Sequence, residues 1–360
     1  DGVRARLASR TGRMTSGAAR SFDDPFGARR RGVVVALGVL LVAAAVANLC
    51  FGPVVIAPGE VFRILGRAVG IALGDEPDRQ ARAVVLTIRM PRVLVGIVTG
   101  AAAGIAGAAL QGLFRNPVAD PHLLGIGPGA SLGGAIGSLT GTVEGAIAGG
   151  AVGGMLTALV VKRLGATRST EPSRFVLTGM ALGAAIAAWV GFVVFVADRT
   201  RVPPIDFWLL GNLGASTWNT VGTLTVTSGI GIVALLGAAR TLDVLALGEA
   251  DARRLGVDVD MATLVILLGV GAVIGAAVGA AGVVVFIGLV VPHVVRRLAG
   301  ATHRVVLTGS AVGGALMMLL ADLGARVVVS PQEIPVGLLT AAIGGPFFLW
   351  LIRKPEMPRP

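Results

Sequence analysis

Apolar runs of about 17 to 25 residues follow one another through almost the whole chain, and short loops hold most of its charges. A bilayer core about 30 Å thick needs helices of that length, with every backbone N–H and C=O bonded inside the segment. The runs fall at 33–51, 91–113, 123–140, 143–164, 174–197, 218–239, 261–280, 282–298, 304–329 and 335–352. They predict an all-α polytopic membrane protein with ten transmembrane helices and both termini on one side. With 54% hydrophobic and 14% charged residues, nothing is left over for a separate soluble domain. Glycine pairs at GxxxG spacing (Gly100 with Gly104, Gly149 with Gly153, Gly150 with Gly154, Gly271 with Gly275, Gly275 with Gly279) predict a tightly packed bundle, because small residues four apart let helix backbones approach closely.

The organisation expected is one transmembrane domain over 33–353 between an Arg-rich tail, 1–32, too poor in apolar residues to bury a core, and a short tail, 354–360. Lysine and arginine gather on cytoplasmic flanks. With the N-terminus inside, 22 of the 31 Lys and Arg fall on the inner side and nine on the outer. Both tails are therefore expected in the cytoplasm of a multi-pass plasma-membrane protein, and the net charge of +11 is a topology signal. No stretch interleaves arginine with aromatics, so no nucleic-acid partner is expected. Segment 58–70 is too short and polar to span and reads as a helix lying on the outer face, in contact with lipid. Lone Cys50 can form no intrachain disulfide.

Few groups inside the spans could do chemistry. Asp322 is the one acid well inside a span, with Glu333 at the start of the last; Asp322 and Arg326, at i and i+4, read as an intrahelical ion pair. His122, His293 and His303 lie near helix ends without Cys or carboxylate partners at ligand spacing, so no metal site is expected. Walker A, GxSxG and HExxH sequences are absent, which argues against an enzyme. An ion-coupled secondary transporter, the runner-up class, usually binds its ion on intramembrane carboxylates, and this chain offers little of that. Energy must then come from a partner. Between the sixth and seventh spans, Leu245, Glu249, Ala252 and Leu255 recur at helical spacing beside Arg253 and Arg254, predicting an amphipathic helix over about 245–256. It could rest on lipid headgroups or dock into a soluble protein.

Several stretches then agree with one family. The runs QGLFRNPVADP (111–121), Leu124-Gly125, LALGEADARRLG (245–256), FIGLVVPH (286–293), PQEIPVG (331–337) and Gly345-Pro-Phe347 resemble the permease subunits of bacterial iron-siderophore, haem and vitamin B12 importers, the FecCD-like group of type II ABC importers. The resemblance spans roughly 33–353. It implies a dimer with a second copy or close paralogue, two cytoplasmic ATPase subunits holding ATP and Mg, an extracytoplasmic substrate-binding protein, and no cofactor on this chain. It also implies two similar halves of opposite orientation. Arg89, Arg92 and Arg326 match outer-face arginines that receive the binding protein's carboxylates, a role suited to the bidentate guanidinium. Asn116, Pro117 and Val118, with the Ser169 to Ser173 loop, match a cytoplasmic gate. Leu245, Gly248, Glu249, Ala252, Leu255 and Gly256 match the ATPase-coupling helix, with Leu245 and Leu255 filling an apolar groove. Trp189, Phe192, Phe195 and Phe347 are pathway candidates. The cargo implied first is ferric siderophore, then haem or cobalamin.

Overall fold

The computed structural model describes residues 25–71, 75–165, 172–197 and 205–353, which form fourteen helices and no strand. In chain order these are α1 (Pro25–Cys50), α2 (Pro58–Ala68), α3 (Arg79–Leu113), α4 (Ile126–Ser138), α5 (Val143–Gly165), α6 (Pro172–Val196), α7 (Ile205–Leu210), α8 (Trp218–Gly237), α9 (Ala239–Leu245), α10 (Glu249–Arg254), α11 (Val259–Ala281), α12 (Ile287–Ala299), α13 (His303–Val327) and α14 (Val336–Arg353). Seven of them, α1, α3, α5, α6, α8, α11 and α13, are long and apolar enough to cross a membrane. The fold is all-α and the chain is a multi-pass membrane protein.

The three other expected spans are met by shorter helices. α4 and α12 have 13 residues each and α14 has 18. Thirteen residues rise only about 20 Å, short of a bilayer core. The cause is local, because α4 and α12 each start from a left-handed residue, Gly125 (φ 77°) and Phe286 (φ 69°), so the helical path cannot extend backwards. A second departure lies at the N-terminus, where α1 begins at Pro25, inside the stretch expected to be a disordered tail. Proline suits a first helical position, and nothing between Pro25 and Arg31 breaks the helix once begun. Residues 1–24 and 354–360 lie outside the described residues.

Two trios of helices pack in a corresponding way. α3, α4 and α5 run long, short, long, and so do α11, α12 and α13. α3 packs on α13 and α12, while α11 packs on α5 and α4, so each member of one trio meets the counterpart of the other's neighbour. The seams are built on the glycine pairs. Gly149 and Gly153 face Gly133 and Gly129 of α4, and one residue further round α5, Gly150 and Gly154 face Gly275 and Gly271 of α11. A methyl on Gly154 would come within 2.3 Å of the Gly271 carbonyl oxygen, whereas one on Gly229 of α8 meets nothing within 4 Å. Gly154→Ala should therefore destabilise by about 1–3 kcal/mol through forced separation of α5 and α11, and Gly229→Ala should be neutral or gain up to about 1 kcal/mol. Thermal unfolding of the two variants in detergent checks the order; equal midpoints would contradict the seam.

Candidate functional site

The two ends of the bundle carry the chain's polar constellations. At one end, α1 finishes at Cys50, α3 begins and α13 finishes. α3 contains a wider π turn, Val84–Arg89, whose Leu86 carbonyl accepts a bond from Trp218 Nε1 at 3.0 Å; such turns recur at functional sites. Arg89 and Arg92, three residues apart, both point inward and meet Arg326 of α13. All three are buried, at 4%, 7% and 2% exposure. Arg92 clamps Asp322 (Nη2 to Oδ1, 2.8 Å; Nε to Oδ1, 3.0 Å) and reaches Glu333 (Nη1 to Oε2, 2.8 Å). The expected pair of Asp322 with Arg326 is present at 3.2 Å, but Arg92 is the closer partner.

Arg89 and Arg326 are otherwise bonded to the last turn of α1 and the segment after it. Arg89 donates to Leu49 O at 2.6 Å and to Val54 O; Arg326 donates to Phe51 O at 3.0 Å, to Asn48 O at 3.2 Å and to the Asn48 side-chain oxygen. Gly52 passes directly over both, its Cβ position lying 3.1 Å from Arg326 Nη1 and 3.2 Å from Arg89 Nη2. The arginines matched to outer-face docking are thus buried and already bonded within the chain. The guanidiniums form a covered cluster: Asp322 and Glu333 hold Arg92, Asp322 also pairs with Arg326, and carbonyls of Asn48, Leu49, Phe51 and Val54 replace water around Arg89 and Arg326. Asn48, which the sequence reading passed over, ties this cluster to α13 through Leu319 O at 3.0 Å; its signal was a lone amide within an apolar run.

At the opposite end, the stretch expected as one helix is broken. α9 stops at Leu245, Gly248 adopts φ 117°, and α10 starts at Glu249 and closes on Gly256 at φ 84°. Leu245 is 3% exposed and belongs to the chain's own core, so it cannot fill a partner's groove. Ala252 is likewise buried. The exposed leucines are Leu255 and one the sequence reading missed, Leu247, each at 63%. Beside them lies the 114–121 loop, where Arg115 is left-handed (φ 49°) and Asn116 Oδ1 accepts from Val118 N at 3.0 Å. Pro117 is exposed and Val118 half-buried. Arg115 Nη1 comes within 3.7 Å of the Gly248 Cβ position, so this loop touches the start of α10. Gln111 bonds Gly288 O at 3.1 Å and Arg296, tying α3 to α12. Ser169 lies outside the described residues; Ser173 stands in the first turn of α6.

The aromatic candidates do not form one group. Trp189, Phe192 and Phe195 are exposed along α6, with Trp189 and Phe192 edge-on at 5.7 Å. Phe347 of α14 packs instead on His293 of α12 at 5.9 Å and on Trp350 at 5.6 Å.

Compared with known proteins, residues 40–354 match the FecCD transport family. The chain belongs to that family. Among FecCD relatives, the hemin transport system permease protein HmuU of Yersinia pestis is 42% identical over 278 residues, 75% of this chain and 83% of that protein. The vitamin B12 import system permease protein BtuC of Escherichia coli is 33% identical over 324 residues, covering 89% of this chain and 94% of that protein. A solved metal-chelate type ABC transporter in an inward-facing conformation matches with a TM-score of 0.75 and 29% identity, over 90% of this chain and all of the other. This FecCD chain is accordingly a permease subunit, and nucleotide hydrolysis belongs to a separate subunit.

Proposed function

We propose that this chain is the membrane pathway of an ATP-driven importer for metal chelates, working as a dimer with a second copy or close paralogue. The observation that carries the reading is α10, a short helix framed by two left-handed glycines with exposed leucines at both ends, on a permease with no nucleotide site of its own. Two ATPase subunits holding ATP and Mg would grip that helix. Asn116, Pro117 and Val118 would gate the exit beside it, with Ser169 and Ser173 across the pathway. The second copy would cover the exposed apolar face of α6, and Trp189, Phe192 and Phe195 would line the pathway or that contact. At the other end a soluble binding protein would deliver cargo; carboxylate docking on Arg89, Arg92 and Arg326 requires their present partners to be displaced first, the Asn48–Val54 carbonyls on Arg89 and Arg326 and the Asp322 and Glu333 carboxylates on Arg92.

Relatives named for hemin and for vitamin B12 support a metal chelate as cargo, and of the three candidates, ferric siderophore, haem and cobalamin, haem is the one we favour, on the 42% identity to the hemin permease. Purifying the cognate binding protein and identifying the ligand that comes with it decides between them; a ligand without a metal chelate would overturn the reading.

The orientation proposed puts both termini and α10 in the cytoplasm and the arginine end outside, as the lysine and arginine distribution favours. In a Cys50→Ala background, an impermeant thiol reagent on intact cells should label Ala215→Cys, which is exposed near Arg92, and spare Asp251→Cys on α10. The reverse pattern would invert the topology.

A further inference from the structure

We propose that His303 is a positioning residue that carries displacement of the α9–α10 segment into the 114–121 loop. The proposal rests on the reading of α10 as the element an ATPase moves. Asp243, on α9, accepts two bonds at a single oxygen: His303 backbone N–H at 2.9 Å and His303 Nδ1 at 2.8 Å. Thr302, at the N-cap of α13, makes no side-chain cap bond, so this carboxylate from another helix caps α13 instead. The Nδ1 bond fixes the ring's orientation, and the opposite edge of the ring is pressed against α3. A Cβ on Gly112 would lie 2.5 Å from His303 Nε2 and 2.8 Å from Cδ2. Glycine at 112 therefore makes room for the imidazole, and a planar, buried ring stands wedged between α9 and the last turn of α3.

The segments flanking the wedge give it its use. Four residues after the end of α9 the chain enters α10. Three residues after Gly112 the chain turns at left-handed Arg115, whose N–H bonds back to Gly112 O at 3.3 Å, and Asn116 N bonds to Gln111 O at 3.2 Å. The loop is thus anchored on the last turn of α3, which His303 braces. The other contact between α10 and this loop, Arg115 against Gly248, involves an exposed charged side chain, and wet contacts of that kind transmit little. The buried route runs through the ring, which stands closest to Gly112, with fully buried Leu242 of α9 beside it at 3.3 Å from the same Cβ position.

The test uses the complete complex, with its ATPase and binding-protein partners, carrying Cys50→Ala and a nitroxide on Val118→Cys. The signal is the change in the nitroxide spectrum between the nucleotide-free and the ATP–vanadate-trapped states. His303→Asn keeps a donor near Nδ1 and removes the far edge of the ring; Gly112→Ala pushes the ring away. Each should reduce the spectral change roughly five-fold or more, the size of an ordinary coupling link, with the ATPase subunits still bound. Combining them should restore it, because the methyl introduced by Gly112→Ala then fills the space the ring vacated. A purely structural role for His303 would make the double variant worse than either single one. A wild-type response in His303→Asn, no response in the wild-type complex, or no restoration in the double variant overturns the proposal. If Gly112→Ala does not accumulate in membranes, His303→Asn alone decides. Loss of ATPase binding by the wild-type chain would instead refute the coupling reading itself.

Discussion

Asp322→Ala is expected to lose about 3–5 kcal/mol of stability, because it removes the shared carboxylate from two buried guanidiniums. Asp322 is 1% exposed, and it holds Arg92 of α3 at 2.8 Å and Arg326 of its own helix at 3.2 Å. The alanine variant would leave Arg92 with Glu333 as its one carboxylate and Arg326 with none in contact, on a helix pair whose packing the Gly100 and Gly314 contact otherwise fixes. Glu333→Gln supplies the contrast. Glu333 is 35% exposed at its side chain, so water screens it, and its loss should cost about 1 kcal/mol or less. Detergent-solubilised Asp322→Ala should show a clearly lowered thermal midpoint and reduced membrane abundance while Glu333→Gln stays near wild type. A midpoint for Asp322→Ala equal to wild type would show that the network does not hold α3 to α13.

How much of this could be read before the structure depends on the range of the interaction that decides it. Helix placement was legible because a bilayer imposes length and apolarity on each segment separately, and the glycine pairs were legible because GxxxG puts both residues on one helix face. Each of the five pairs named from the sequence does lie at a close interhelical contact. The shortness of α4 and α12 was not legible: Phe286 is left-handed although it is not a glycine, a conformation that its neighbours impose. Leu245 was assigned to a partner because helical spacing was carried across Gly248, and the 117° φ there ends one helix and re-aims the next. That break turns Leu245 inward and brings Leu247 out. The arginines were recognised as a set, and they do come together, but the carbonyls that cover Arg89 and Arg326 come from Asn48 to Val54, about 35 to 280 residues away, a relation no local pattern records. Asp243 and His303, 60 residues apart, escaped for the same reason.

On the function proposed, this permease moves only when a separate ATPase grips α10. Leu247 and Leu255 are the residues to change, since each is 63% exposed and neither supports the fold. Surface substitutions of this kind usually shift stability by no more than about 0.5 kcal/mol, whereas burying a leucine in a partner is worth roughly 1.5–3 kcal/mol, a tenfold or greater change in affinity for each. Leu245→Asp would be the wrong probe, because it places a carboxylate in the core. The deciding measurement is ATP-driven uptake into vesicles by Leu247→Asp with Leu255→Asp, read together with ATPase co-purification. The expected result is a chain that inserts and accumulates normally, retains its binding-protein partner, and loses ATPase association and uptake together. Wild-type uptake by the double variant, or uptake that survives ATP depletion and collapses with the ion gradient, would contradict it and return the chain to the ion-coupled class.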